Sequence, residues 1–218
     1  YNILGQKIEK ESNILKFYKV DETLTKKKLS LNINQLENLK YLKINAEKNE
    51  IYFNKGSLII KERLLIPSGF KIFLKAGTEI IFQEDGQIIS YSPFVIDGEE
   101  NNPVKIIANV KKINELNKYG NGFSILNAKP QSVIKNTHFI NLKSPTLSSG
   151  EGLLGGINIY KSDIIFENCK FISNQGEDFL NIISSKFLIK NVFMENINFD
   201  AIDFDFSKGK IESITILK

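Results

Sequence analysis

The 218-residue chain has no tryptophan, one cysteine (Cys169), one histidine (His138) and one arginine (Arg63) among its 29 basic side chains. A lone cysteine excludes an intrachain disulfide scaffold and any zinc site built on cysteine spacing. A lone histidine excludes centres that need two. Nucleic-acid readers rely on arginine forks and concentrated basic patches, so one arginine and a net charge of +4 argue against that class. The excess charge is also diffuse. Residues 1–118 carry 19 basic and 15 acidic groups, and residues 119–218 carry 10 of each, which describes solvated lysine and not a binding patch. No run of 18 apolar residues occurs, so no membrane span is expected. A chain that starts at Tyr1 reads as a mature form or an excised segment, from which a signal peptide could have been removed without trace.

What is present is ordinary in amount and informative in order. Apolar residues make up 42% and charged residues 25%, enough for one large globular domain or two small ones. Residues 1–55 form a polar capping region of mixed α/β character. A strand is expected over Asn13–Val20, a solvated loop over Asp21–Lys28, a short helical stretch over Asn34–Tyr41 and a strand at Ile51–Phe53. From Ser57 the character changes. Apolar stretches of three to five residues recur at Leu58–Ile60, Lys71–Leu74, Glu79–Phe82, Gln87–Ser90, Phe94–Ile96 and Val104–Ala108, most of them bounded by Gly, Pro, Asn or Asp. None has room for an amphipathic helix, and many short strands with turn signals define an all-β protein.

Internal repetition selects among all-β architectures. Ser162, Ser185 and Ser207 stand 23 and then 22 residues apart, and Asn168, Asn191 and Ser213 keep that spacing. So do Cys169, Val192 and Ile214, and then Phe171, Met194 and Ile216. An earlier copy, Gln131–Phe139, puts Asn136 in the Asn168 position after a step of 32, which implies an insertion in the Ser144–Gly156 region. A period of about 22 residues made of short strands fits a right-handed parallel β-helix, in which equivalent residues stack about 4.8 Å apart on successive coils. Small polar residues then form ladders at the turns (Asn136, Asn168, Asn191), and apolar ones stack inside (Phe139, Phe171, Met194, Ile216). The expected organisation is a capping region over residues 1–55 and a solenoid over 56–218, truncated at its C-terminus. Such an end calls for missing downstream coils or for end-to-end stacking with another chain.

The segment Ile66–Ala108 carries Ile66-Pro67, Gly69, Gly77-Thr78, Ile81-Phe82, Gly98 and Pro103-Val104 in the order found in the first coils of pectin-lyase-like β-helix proteins, which it resembles. The stretch from Glu177 to Ile211 resembles coils of bacterial surface β-helix proteins, some associated with CotH-type kinase domains. The resemblance covers about residues 50–218 and implies an extracellular or cell-surface protein. It leaves activity open, because the superfamily mixes lyases, hydrolases, epimerases and non-enzymatic proteins.

The candidate site is an acidic cluster. The 22-residue step aligns Asp178 with Asp200 and Asn181 with Asp203, and the preceding coil adds Asn158 to the Asn181 column and Tyr160 to the column of Ile183 and Asp205. Alternation along the strand points Ile202, Phe204 and Phe206 inward and Asp203 and Asp205 outward, about 6.5–7 Å apart. Asp178 and Asp200 break the alternation and need a place on the turn before the strand to be exposed. Asn158, Tyr160, Asn181 and Asp178 are the candidate substrate-binding residues. Asp200, Asp203 and Asp205 are candidate catalytic carboxylates, since paired acids serve glycoside hydrolysis. Asp203 and Asp205 are also candidate oxygen ligands for Ca²⁺. Against all of these stands the reading in which Asp and Asn in such columns cap turns and satisfy backbone groups. His138 is expected outward near Lys170, Cys169 inward as a core thiol, and Arg63 far from the acids along the axis. Glu151 could approach the patch from the insertion. An enzyme needs sugar-stacking aromatics, and near the acids only Tyr160 and Phe193 qualify. The expectation is a secreted or surface β-helix that binds carbohydrate or serves a structural role; the alternative is a polysaccharide-active hydrolase or lyase.

Overall fold

The computed structural model describes residues 36–109, 121–144 and 153–217, together with two short strands near the start of the chain. The backbone divides into Tyr1–Ser30 and Leu31–Lys218. In the first unit β1 (Asn2–Ile3) pairs antiparallel with β2 (Gln6–Lys7). The strand expected over Asn13–Val20 and the loop over Asp21–Lys28 lie outside the described residues. Of the expected helical stretch, Leu36 and Glu37 are helical and lead into a turn closed by the Leu39 N–H on the Leu36 carbonyl, with Leu36 buried in the core.

The second unit is a parallel β-helix. It opens with an antiparallel hairpin, β3 (Leu42–Asn45) and β4 (Glu50–Phe53). From β4 the strands go to three sheets in strict rotation. The first coil is β4, β5 (Gly56–Ile60) and β6 (Arg63–Ile66), and the second is β7 (Lys71–Lys75), β8 (Thr78–Phe82) and β9 (Gln87–Ser90). The third is β10 (Phe94–Asp97), β11 (Val104–Ala108) and β12 (Phe123–Leu126), and the fourth is β13 (Ser132–Lys135), β14 (Thr137–Ile140) and β15 (Gly155–Tyr160). The fifth is β16 (Ile164–Glu167), β17 (Lys170–Ile172) and β18 (Asp178–Ile183), and the sixth is β19 (Lys186–Lys190), β20 (Val192–Glu195) and β21 (Asp200–Asp205). Strands β22 (Lys208–Ile211) and β23 (Ile214–Leu217) follow. The first sheet runs β3, β4, β7 and on to β22, the second β5 to β23 and the third β6 to β21, each strand bonded to the one a full coil away. Beyond the β3–β4 hairpin every pairing between strands in this unit is parallel among the described residues, and one isolated antiparallel bridge joins Glu99 to Asn102 in the β10–β11 turn.

The sequence repeats are these coils. His138 pairs with Lys170 and Phe139 with Phe171, Phe171 with Met194, and Met194 with Ile216, so the inward column has the residues its spacing predicts. Phe139 and Phe171 are fully buried, their rings 5.2 Å apart, and Phe171 also meets Phe166 and Phe179 edge-on. Rings at such spacings add to the area they remove from water. Cys169 is buried in the same interior, and burial pushes its thiol up to about 12, so it is inert.

Corners are made by single residues in the left-handed region, where Asn is tolerated because its short polar side chain bonds locally. Asn136, Asn168 and Asn191, at φ 44°, 55° and 52°, turn the chain from the first sheet to the second. Nδ2 of Asn191 donates to Oδ1 of Asn168 at 2.7 Å, one rung of the expected ladder. A second ladder stands between the third sheet and the first. The hydroxyls of Ser162, Ser185 and Ser207 accept from the N–H groups of Ala128, Ser162 and Ser185, each one coil earlier. At the end of β21 one expectation fails. Phe206 takes φ 51° at the corner after the strand and is 93% exposed, not inward. Strand alternation stops at a left-handed residue, so parity cannot be carried through it.

Candidate functional site

The third sheet brings the predicted residues together. Gly155, Asp178 and Asp200 share one column, and Ser124, Asn158, Asn181 and Asp203 share the next. Tyr160, Ile183 and Asp205 follow at the far end of the strands. The register is the one the 22-residue step dictates. Between these columns Leu180, Ile182, Ile157 and Ile159 belong to the core, so Asn158, Asn181 and Asp203 stand on the outer face. Asp178 and Asp200 are the first residues of β18 and β21. Asp178 joins the outer side although three positions separate it from Asn181, because Phe179 and Leu180 are both buried in the core and interrupt the alternation.

Exposure differs from the expectation. Asn158 is 4%, Asn181 2% and Asp178 3% exposed, so the middle of the patch is closed to solvent. Asp203 and Tyr160 are half-buried, and Asp200 and Asp205 are exposed. The same outer column holds Leu65 and Ile89 in the first two coils, buried yet outside the core cluster. The outer face of this sheet is therefore covered along much of its length. That also explains why Arg63–Ile66 shows no alternation and escapes a reading by period.

The buried groups serve the chain. Asn158 accepts from the Gly155 N–H at 3.0 Å and donates to the Gly155 carbonyl at 2.6 Å, and it reaches Oγ of Ser124 at 3.3 Å. A Cβ on Gly155 would lie 2.9 Å from Cβ of Asn181 and 2.6 Å from the Ile157 carbonyl oxygen, so this clasp requires glycine. In the next coil Nδ2 of Asn181 donates to Oδ2 of Asp178 at 3.0 Å, and Oδ1 of Asn181 has no hydrogen-bond partner. Burial holds the Asp178 carboxyl above the usual carboxylate range, the Asn181 amide works against that, and the charges of Asp203, Glu177 and Asp200 add to it.

Gly155, Ser124 and Glu177 are members of this site that sequence reasoning missed. The step from Ser124 to Asn158 is 34 residues, which hides the column, while Gly155 was legible as the partner of Asp178 in the aligned repeat. Other candidates fall elsewhere. Phe193 is on β20 in the second sheet and does not join Tyr160 on the third, because β20 and β21 are separated by a corner. Arg63 opens β6, the third-sheet strand of the first coil, with β9 and β12 between it and β15. His138 is flanked by Lys105 and Lys170 on adjacent strands, and burial followed by these two charges lowers its pKa. Glu151 lies outside the described residues. A recess of about 260 Å³ opens on the second sheet of the early coils, lined among others by Ser57, Thr78, Glu79, Asn102 and Lys105.

A hard cation such as Ca²⁺ takes six to eight oxygens. Among the described residues no three His, Cys, Asp or Glu side chains converge as a metal site would, so Asp203 and Asp205 do not make a cage by themselves. Among the described residues no helix is long and apolar enough to cross a membrane. The coordinates define the class, a parallel β-helix. No family model matches the chain, and no curated protein or solved structure matches it significantly.

Proposed function

We propose that this chain is a non-catalytic β-helix of the cell exterior whose role is structural, with any polysaccharide contact confined to Tyr160, Asp203 and Asp205. One observation carries this reading. Three of the four side chains expected to bind a sugar, Asn158, Asn181 and Asp178, are buried, with Asn158 clasping the Gly155 backbone and Asn181 bonded to Asp178. Groups consumed in this way hold coils in register and have little left to offer a substrate. The extracellular setting rests on the resemblance of Ile66–Ala108 to pectin-lyase-like coils and of the later coils to CotH-associated surface proteins.

A second reading has one observation in its favour. A carboxyl raised by burial beside a second acid is how glycosidases pair an acid with a base, and Asp178 beside Asp203 has that form. The burial that raises Asp178 also keeps a glycosidic oxygen from reaching it. The two readings separate in one experiment. The chain is incubated with a panel of neutral and acidic polysaccharides, and reducing ends and unsaturated products are followed. The expected result is no release above a buffer blank. Turnover that disappears in Asp203→Asn or Asp178→Asn would overturn the structural reading. Retention on a polysaccharide gel that is lost in Tyr160→Ala and kept in Asn158→Ala would locate sugar contact at the accessible rim.

A further inference from the structure

We propose that the outer face of the first sheet packs on the same face of a second copy of this chain, about a twofold axis that lies between β10 and β13 and runs along the strands. The outward positions of this sheet form three columns. The middle one is apolar, with Tyr52, Phe73, Val95, Val133, Ile165 and Leu188 following one another on β4, β7, β10, β13, β16 and β19. All six are partly accessible, and the rings of Tyr52 and Phe73 stack at 4.9 Å. On the third sheet the corresponding outer column is closed from Leu65 and Ile89 through Ser124 to Asn158 and Asn181. The first sheet leaves its apolar column open. A continuous apolar stripe about 24 Å long is more than scattered exposure and marks an interaction surface.

Charge names the occupant. Beside the stripe, at the C-terminal ends of the strands, Lys75, Asp97, Lys135, Glu167 and Lys190 alternate in sign from coil to coil. Lys75 meets Asp97 at 3.6 Å, and Glu167 meets Lys135 at 2.9 Å and Lys190 at 3.2 Å. On the other side of the stripe the same register gives Glu50, Lys71, Pro93, Gln131, Asp163 and Lys186. A twofold axis along the strands reverses the order of the coils and lays each column on itself. With the axis between β10 and β13, Lys75 lies opposite Glu167 of the second copy and Asp97 opposite Lys135. In the stripe Val95 meets Val133, Phe73 meets Ile165 and Tyr52 meets Leu188. The remaining column does not alternate in sign, yet it also matches, with Lys71 opposite Asp163, Glu50 opposite Lys186 and Pro93 opposite the neutral Gln131. Moving the axis one coil on, between β13 and β16, keeps the alternating column matched but loses both of these pairs and sets Lys71 against Lys208. One like-charged pair remains at the end of the chosen face, Lys43 with Lys210, both exposed, where charges in water interact weakly. An apolar centre between charged borders is the anatomy of a protein interface. Six strands of five residues give a footprint of about 29 Å by 16 Å, small for a specific contact, so the dimer is a reversible one. A twofold contact uses the face once in each copy and closes on itself.

The test is sedimentation of the 218-residue chain over a concentration series at low and high salt. The expected result is a monomer–dimer equilibrium that weakens as salt screens the border charges. Lys71→Glu with Lys186→Glu makes every charge of one border column acidic, and Glu50→Lys with Asp163→Lys makes every charge of it basic. Each variant sets like charge against like at four contacts and should dimerise roughly tenfold or more weakly than the parent. Mixed together, the two variants set acid against base at all four and should pair one to one, a recovery that also shows that both fold. Lys105→Glu with Lys170→Glu makes the same change in net charge on the second sheet and should leave the dimer intact. A chain that stays monomeric throughout, a dimer indifferent to both column variants, column variants that remain apart when mixed, a second-sheet variant weakened as much as they are, or open-ended assemblies would each overturn the proposal.

Discussion

Asp178 shows how a single side chain can be adapted to packing at a cost in charge. It accepts from Asn181 and sits against Phe179 and Leu180 of the core, and burial together with neighbouring acids raises its pKa. The folded protein therefore binds the Asp178 proton more tightly than the unfolded chain. Between the ordinary carboxylate range near pH 4 and the raised value the folded state carries more protons, so stability falls as pH rises through that window. Asp178→Asn keeps an acceptor for Asn181 and removes the titration. Melting temperatures of parent and variant should lie close together below about pH 4 and separate as pH rises, with the variant the more stable near neutrality. A variant less stable than the parent near neutrality would show that the ionised carboxylate is wanted there. The column that brings Asp178 to Asp200 was legible in the sequence, because identical residues recur at a fixed step. Its burial was not, since period assigns a side of the sheet and is silent on what covers that side.

At the scale of the coil, stability resides in ladders that repeat one bond from turn to turn. Oγ of Ser185 accepts from the Ser162 N–H at 2.9 Å and donates to the Ile183 carbonyl at 2.8 Å, and the Ser185 N–H passes to Ser207 at 3.2 Å. Ser185→Ala leaves the N–H of Ser162 without its acceptor. With Ser162 1% exposed, water is a poor substitute, and the expected loss is about 1–3 kcal/mol in a denaturant titration. A loss below about 0.5 kcal/mol, the range of ordinary surface substitutions, would deny the ladder a structural role. The serines, like Asn168 and Asn191, were legible because a turn bond demands one residue type at one phase of the repeat. The coils before Gln131 were legible as short strands, and over Ile66–Ala108 by resemblance, but not as a repeat, since residues 109–121 enter between the second and third sheets and break the period. Phe206 was misplaced for a different reason. A left-handed corner resets the facing of the residue that occupies it, and phenylalanine is not a residue that announces such a corner.

For the molecule as a whole, one registration error would undo the account. Sliding one coil by a single residue would move every inward side chain outward, and the grouping of Asn158, Asn181 and Asp203 would dissolve. The stacking of β18 on β21 is therefore the claim on which the site and its burial rest. Ile183 and Asp205 face one another in that register, both on the outer side and both accessible enough to label. Stacked residues on neighbouring strands lie about 4.8 Å apart, within the span a disulfide tolerates. In a Cys169→Ala background, Ile183→Cys with Asp205→Cys should oxidise rapidly to an intrachain disulfide under mild oxidant, while Ile183→Cys with Asp203→Cys should remain reduced. Peptide mapping of the crosslinked chain reads the outcome directly. A disulfide in the second pair and none in the first would contradict the register, and with it the site.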